Sequence, residues 1–148
     1  VSGGGLFVDV VSHRIDAMIS LLGAPVEVRG IARTAAGGVE DVVSLTIWFE
    51  SGALCAVTGD FATGRSADRF MVAGTRGVIE AERLDAHAFT IRVGGRAESF
   101  TFDRFPAPHL GLIRHIERVL AGQEANASSG RDGRWTDRVL DEALGRFG

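Results

Sequence analysis

The sequence predicts an α+β domain with an open, mostly antiparallel β-sheet and helices packed on one face. Short apolar runs follow one another from residue 26 to residue 102, and glycine-containing turns join them, which is the pattern of successive hairpins. A helical pattern precedes these runs, and two more follow them. The 148 residues are rich enough in apolar side chains to bury one core, so we expect a single domain over residues 1–148.

The first helix is predicted over residues 6–22, where apolar residues recur at helical spacing. A glycine and a proline within residues 23–25 form a stop signal for this helix. A strand is predicted next, over residues 26–34, because apolar and charged residues alternate there. Residues 35–38 are predicted to form a turn.

The clearest strand is predicted from Asp41 to Glu50, where two different faces alternate. One face is wholly apolar and consists of Val43, Leu45, Ile47 and Phe49. The other face is mixed and consists of Val42, Ser44, Thr46 and Trp48. Residues 53–61 return as the hairpin partner. Because one helix layer covers only one face, we expect the helices on the apolar face and the mixed face outside.

Two further hairpins are predicted after a loop at residues 63–66. The first hairpin pairs residues 68–73 with residues 78–83, and the second pairs residues 88–93 with residues 96–102. Each has glycines at its turn, which a tight reversal of the chain favours. Hairpin after hairpin predicts a largely antiparallel sheet.

Two helices are predicted to end the chain. The first runs from His109 to Ala121, and its buried side is expected to hold Leu112, Ile116, Val119 and Leu120. A polar, serine- and glycine-rich loop follows at residues 123–133. The last helix is predicted from Trp135 to Phe147, with apolar residues Val139, Leu140, Ala143 and Leu144.

The first helix carries the candidate site. Asp9 and His13 are four residues apart and Asp16 is three residues further, so all three share one side of a helix. A carboxylate one turn before a histidine can orient the imidazole and favour its charged form, which is what a proton-transferring histidine needs. A purely structural role is the alternative, because the helix dipole alone favours an acidic residue early in a helix and structural networks also perturb ionisable groups.

Other candidate sites have weaker support. A metal could be ligated by Asp9, His13 and Asp16, but we prefer the interpretation that His13 transfers a proton. His109 and His115 are six residues apart and do not share a helix face, so no spacing predicts a histidine metal site. Arg65 and Arg69 flank a loop and could meet an anionic substrate or a neighbouring subunit, or could be solvated surface residues.

Charge and cysteine content exclude several classes of protein. The net charge is −3 and both signs are well mixed, so nothing predicts binding to nucleic acid or to a membrane surface. Cys55 is the only cysteine, so no disulfide forms within one chain. No apolar stretch is long enough to span a bilayer, and no signal peptide is visible. These features predict a cytoplasmic protein without a nucleic-acid or membrane partner.

Residues 3–25 resemble the opening of the C-terminal domain in the Gfo/Idh/MocA family, which includes glucose-fructose oxidoreductase and inositol dehydrogenase. The family pattern is a glycine-rich entry, then Asp-x-Gly-x-His-x-x-Asp, then a helix that ends near Leu-Gly. Here three glycines at residues 3–5 precede Asp9, His13 and Asp16, and Val11 stands in the place of the family's glycine. Residues 70–80 also resemble a characteristic hairpin of the family.

The resemblance implies an NAD(P)-dependent oxidoreductase that acts on a sugar, a polyol or a related hydroxy or keto compound. His13 would be the general acid/base on the substrate oxygen, and Asp9 would position His13 or the substrate. Both would therefore be catalytic and substrate-binding residues. Asp16 would have a structural role, such as a hydrogen bond that fixes the helix.

The resemblance also implies a missing part. The sequence has no Gly-x-Gly-x-x-Gly between a strand and a helix, so we interpret it as a C-terminal domain without its N-terminal Rossmann domain. NAD or NADP would bind mainly to that domain, which would also supply a family lysine. This chain alone is expected to bind no cofactor or metal and to be inactive.

In this family, the sheet face away from the active site commonly forms subunit contacts. We therefore expect a homodimer, or a tetramer built from dimers, that meets through the mixed sheet face and includes Trp48. The alternative function follows from the same expectation: a non-catalytic assembly or binding domain of the same fold.

Overall fold

The computed structural model describes residues 5–34, 38–61, 63, 67–107 and 109–145. Some features named in the sequence analysis lie outside the described residues: Gly3 and Gly4 of the glycine-rich entry, most of the predicted turn at 35–38, Arg65 and Phe147. The chain divides into two compact units, one of residues 1–65 and 128–148 and one of residues 66–127. The α+β class with antiparallel strands is confirmed. None of the described helices is both long and apolar enough to cross a membrane.

The first unit contains a three-stranded antiparallel sheet. Its strands are β1 (Pro25–Arg33), β2 (Val42–Phe49) and β3 (Leu54–Asp60), and β2 lies in the middle. The alternation predicted for β2 is confirmed: on its inner face Val43, Leu45, Ile47 and Phe49 are each 3% exposed or less. On its outer face Trp48 is 41% exposed, so the mixed face points outward as predicted.

Helices cover the inner face of this sheet. A helical segment at Phe7–Val11 leads into α1 (Ser12–Leu22), and α3 (Gly130–Ala143) contacts both α1 and β1. The helical segment approaches the sheet closely at Gly59 of β3, where a Cβ would lie 3.1 Å from Leu6 Cδ2. The buried side chains of the helices complete this core: Leu6, Phe7, Val11, Ile15, Met18, Val139, Leu140 and Ala143.

The last helix starts five residues earlier than predicted, at Gly130 instead of Trp135. The predicted loop was wrong at this point because Ser129 and Asp132 form a capping box, which fixes the first turn despite glycines at residues 130 and 133. The Ser129 N–H donates to Asp132 Oδ2 at 2.7 Å. The two hydrogen bonds from Ser129 lower the pKa of the Asp132 carboxyl.

The second unit contains a four-stranded antiparallel sheet and one helix. Its strands follow sequence order: β4 (Phe70–Gly74), β5 (Gly77–Ala81), β6 (Ala88–Val93) and β7 (Arg96–Thr101). Both predicted hairpins are present. The described strands form two hydrogen-bonded sheets, so the prediction of one sheet was wrong: β3 pairs with β2 in the first sheet and β4 with β5 in the second, and strand periodicity does not reveal which strands pair.

The second helix, α2 (Leu110–Leu120), has nearly the predicted bounds but not the predicted burial. Leu112 is 56% exposed, Ile116 is 47% exposed and Leu120 is 83% exposed, while Val119 is half-buried. The prediction of a buried side was wrong because helical periodicity shows which side is apolar but not whether another element covers it. Gly122 ends the helix with a φ of 70°, a conformation that glycine adopts without strain.

We predict that Ile47→Ala lowers the free energy of unfolding by about 2–5 kcal/mol, because Ile47 is fully buried and its loss leaves a cavity. Ile31→Ala is the matched control, since Ile31 lies on the neighbouring strand with its side chain 64% exposed. It should change stability by about 0.5 kcal/mol or less. Chemical denaturation in dilute solution, where self-association does not contribute, measures both. Equal losses would contradict the assignment of the two sheet faces.

Candidate functional site

The candidate site lies where the first helical segment begins. Residues Phe7–Val11 form a π-helical turn, in which the Ser12 N–H donates to the carbonyl oxygen of Phe7 five residues earlier. The Ser12 hydroxyl donates to the Val8 carbonyl oxygen at 2.7 Å, which satisfies that group. The predicted helix is therefore correct in extent, but it opens with a wider turn, a feature that is frequent at functional sites.

The entry to this turn is fixed by the main chain of residue 40. The Leu6 N–H donates to the Glu40 carbonyl oxygen at 2.8 Å. A Cβ at Gly5 would lie within 2.5 Å of the same oxygen, so only glycine fits here without displacing the backbone. Gly5 therefore allows the backbone of this entry to approach another part of the same chain closely.

Asp9 and His13 are both exposed, on the outer side of this segment. Asp9 lies in the π-helical turn and His13 lies in α1. A separation of four residues is about one turn in either kind of helix, so the two side chains lie on the same side. In the part of the chain that the structure describes, no hydrogen bond or ion pair joins Asp9 to His13. Orientation of the imidazole by Asp9 therefore stays a prediction.

The inner side of the same segment is anchored in the core. Phe7 and Ile15 are fully buried, and Val11 is 3% exposed. Because these side chains are buried, the core determines which side of the segment faces inward, and Asp9 and His13 lie on the opposite, outer side. The site is thus a carboxylate and an imidazole displayed on a rigid support, which is suitable for proton transfer to a bound molecule.

Asp16 has the structural hydrogen bond expected of it. The Thr136 hydroxyl of α3 donates to Asp16 Oδ1 at 3.3 Å, across the contact between α1 and α3. Sequence reasoning missed Thr136. A signal was present, because Thr136 lies on the same helical stripe as Val139, Leu140 and Ala143, where a polar residue is unusual.

The remaining candidates are placed elsewhere on the chain. Arg69 forms an ion pair with Glu80 at 3.4 Å, so the charge of Arg69 is already paired. Glu80 also pairs with Arg92, at 3.0 Å. His109 precedes α2 with a φ of 62°, and His115 faces Glu124 at 3.1 Å. Over the described ranges of the chain, no three metal-ligating side chains come together.

The solved structures most useful for comparison are oxidoreductases. An aldose-aldose oxidoreductase from Caulobacter crescentus, solved with glycerol, matches 95% of this chain with 25% identity and a TM-score of 0.79. The UDP-N-acetylglucosamine 3-dehydrogenase GnnA from Acidithiobacillus ferrooxidans matches 96% with 18% identity and a TM-score of 0.83. The WlbA dehydrogenase from Bordetella pertussis, solved with NADH and UDP-GlcNAcA, matches 97% with 20% identity and a TM-score of 0.71.

These relatives are about twice as long as this chain, which covers 44%, 48% and 42% of them respectively. Their likeness supports the α+β fold predicted from the hairpins and helices. No curated protein matches the sequence.

A family model decides the assignment that the fold alone leaves open. Residues 1–80 match the model described as the GFO/IDH/MocA C-terminal domain, and these residues include the glycine-rich entry, Asp9, His13 and the three strands of the first sheet. The match covers more than half of the chain and confirms the resemblance seen in the motif. The chain belongs to the GFO/IDH/MocA family and contains its C-terminal domain.

Proposed function

We propose that this chain is the substrate-binding and oligomerisation domain of an NAD(P)-dependent oxidoreductase that acts on a sugar, a polyol or a related hydroxy or keto compound. The observation that carries the proposal is the exposed pair of Asp9 and His13 on a helical turn anchored in the core. Family membership supports it. So do the relatives, since one is an aldose-aldose oxidoreductase and another was solved with NADH and a nucleotide sugar.

His13 is the proposed general acid/base. When a hydroxyl-bearing carbon is oxidised to a carbonyl, its hydride passes to the nicotinamide and its hydroxyl loses a proton. An imidazole nitrogen of His13 would accept that proton, and in the opposite direction would return it to the carbonyl oxygen. Histidine suits both directions because its charge changes in the physiological pH range. Asp9 would stabilise the imidazolium or hold a substrate hydroxyl.

The described residues do not form the usual dinucleotide-binding cradle for a nicotinamide cofactor. That cradle needs a parallel βαβ unit with a glycine-rich first turn, whereas the strands that the structure describes pair only antiparallel. We therefore assign the cofactor to a separate N-terminal Rossmann domain and give this chain the proton chemistry alone. Alone, it is expected to bind neither NAD nor NADP and to be inactive.

The outer face of the first sheet favours a second role in assembly. Trp48 lies directly opposite Leu54 on this face, and Leu54 is 59% exposed. Ile31 of β1, 64% exposed, belongs to the same face. Exposed apolar area costs roughly 25 cal/mol per Å², and pairing two such faces about a two-fold axis removes both from water. We propose a homodimer, or a tetramer built from dimers, through this face.

A non-catalytic assembly domain is the alternative. The same outer face supports it, and so does Val11, which stands where the family pattern has a glycine. The two functions differ in what the loss of His13 does, since an assembly domain would not depend on an exposed imidazole on its helical side.

We predict that His13→Ala lowers turnover by roughly 10²–10⁴-fold in the protein that carries the dinucleotide-binding domain, because a general acid/base is lost. Stability should change little, since His13 is exposed. Asp9→Asn should give a smaller loss, because it removes only a charge beside the imidazole. Ser20→Ala, at an exposed position of the same helix, is the control and should keep full turnover. Near-normal turnover of His13→Ala would favour the assembly domain.

We predict that Trp48→Glu converts the oligomer to a monomer at micromolar concentration, because it places a charge in the proposed interface. Sedimentation velocity measures the change. Leu21→Glu is the control, since Leu21 is 63% exposed but lies on α1, in the helical layer of the same unit. An oligomer that persists in Trp48→Glu, or a wild-type protein that is already monomeric, would overturn the assembly proposal.

A further inference from the structure

Thr136 is a buried polar residue in a helix that otherwise buries apolar side chains. It is 8% exposed, and no other polar or charged residue of the described part of the chain is buried to this degree. Its neighbours along the helical stripe are Val139, Leu140 and Ala143. A valine would suit this stripe equally well by size, so the hydroxyl group needs a reason of its own.

The hydroxyl has a directional use. A threonine inside a helix can donate to the carbonyl oxygen four residues earlier, which here belongs to Asp132. Thr136 instead reaches across to α1 and donates to Asp16 Oδ1 at 3.3 Å, linking residues 120 positions apart. This distance is longer than is usual for a hydroxyl that donates to a carboxylate, so the importance of the bond lies in the link it makes between α1 and α3 and not in its strength.

The bond from Thr136 to Asp16 restrains the rotation of α1 about its own axis, which the apolar contacts of the core do not strictly set. Contacts such as those of Ile15 and Met18 are non-directional, so they hold α1 against the core without strictly setting its rotation. The Thr136 bond restricts the rotation of α1 near Asp16, and Asp16 lies one turn after His13. At its other end the segment is held by the bond from the Leu6 N–H to the Glu40 carbonyl. His13 lies between these two attachments.

We propose that Thr136 is a positioning residue for His13: its hydrogen bond to Asp16 sets the rotation of α1 and thereby the direction of the imidazole. This inference rests on the proposed function of His13. Misplacement of a reacting group by about 1 Å can reduce the rate by roughly 10²-fold, so a remote hydroxyl can affect turnover without touching the substrate.

The first test compares Thr136→Val, which keeps the shape and removes the hydroxyl, with Thr136→Ser, which keeps the hydroxyl. In the protein with its dinucleotide-binding domain, Thr136→Val should lower kcat by roughly 10–100-fold and leave KM for the dinucleotide unchanged. Thr136→Ser should recover most of kcat. Thr101→Val, at an exposed strand position, is the control. Unchanged kcat in Thr136→Val would overturn the inference if His13→Ala is itself inactive.

The second test does not depend on activity. The imidazole resonances of His13, assigned by comparison with His13→Ala, should shift in Thr136→Val and stay near their wild-type positions in Thr136→Ser. Those of His87, His109 and His115 should not move. Unmoved His13 resonances would overturn the positioning role, whatever His13 does. Moved resonances in a protein whose His13→Ala variant is fully active would support positioning and reject the proposed function. Asp16→Ala removes the acceptor and serves the same comparison if Thr136→Val fails to fold.

Discussion

The burial of one face of β2 under a helical layer is the interaction on which the rest of the molecule depends. Val43, Leu45, Ile47 and Phe49 are almost completely removed from water. Each such side chain contributes roughly 1.5–3 kcal/mol through burial. Because β2 alternates and the helices are amphipathic, the same burial directs Trp48 outward on the sheet and Asp9 and His13 outward on the helix. One core thus creates both proposed surfaces, one for chemistry and one for assembly.

Polar contacts supply the precision that apolar burial lacks. The Leu6 bond to Glu40 fixes where the helical segment starts, and the Asp16 bond to Thr136 links α1 to α3. The capping box at Ser129 sets where α3 begins. Each of these bonds is worth only about 0.5–1.5 kcal/mol, or somewhat more where a carboxylate takes part. Their importance lies in geometry, since a reacting imidazole depends on direction as well as on stability.

The sequence was most informative where a single local rule decides the outcome. Strict alternation in β2 indicated which residues form its core face, and the glycine turns located the hairpins of the second unit. The spacing of Asp9 and His13 placed both on one exposed side of a helix. The failures come from contacts between distant residues. The exposed side of α2 and the separation into two sheets depend on packing partners that periodicity does not reveal.

Two errors had local causes that could have been recognised. Ser129 and Asp132 have the spacing of a capping box, but glycines at 130 and 133 favoured a loop. Thr136 stands out as a polar residue on an apolar stripe, although its partner Asp16 could not be identified without the fold. The π-helical turn at Phe7–Val11 had no comparable signal, because π-helices are rare and share the apolar pattern of α-helices.

The most direct test of His13 as the proton-transferring group is chemical rescue. In the protein with its dinucleotide-binding domain, free imidazole added to His13→Ala should restore turnover in proportion to the concentration of neutral imidazole, leaving KM for the dinucleotide unchanged. The same additions should leave Ser20→Ala unaffected. A folded but inactive His13→Ala variant that imidazole does not rescue, while smaller or larger bases also fail, would contradict a proton-transfer role for this side chain.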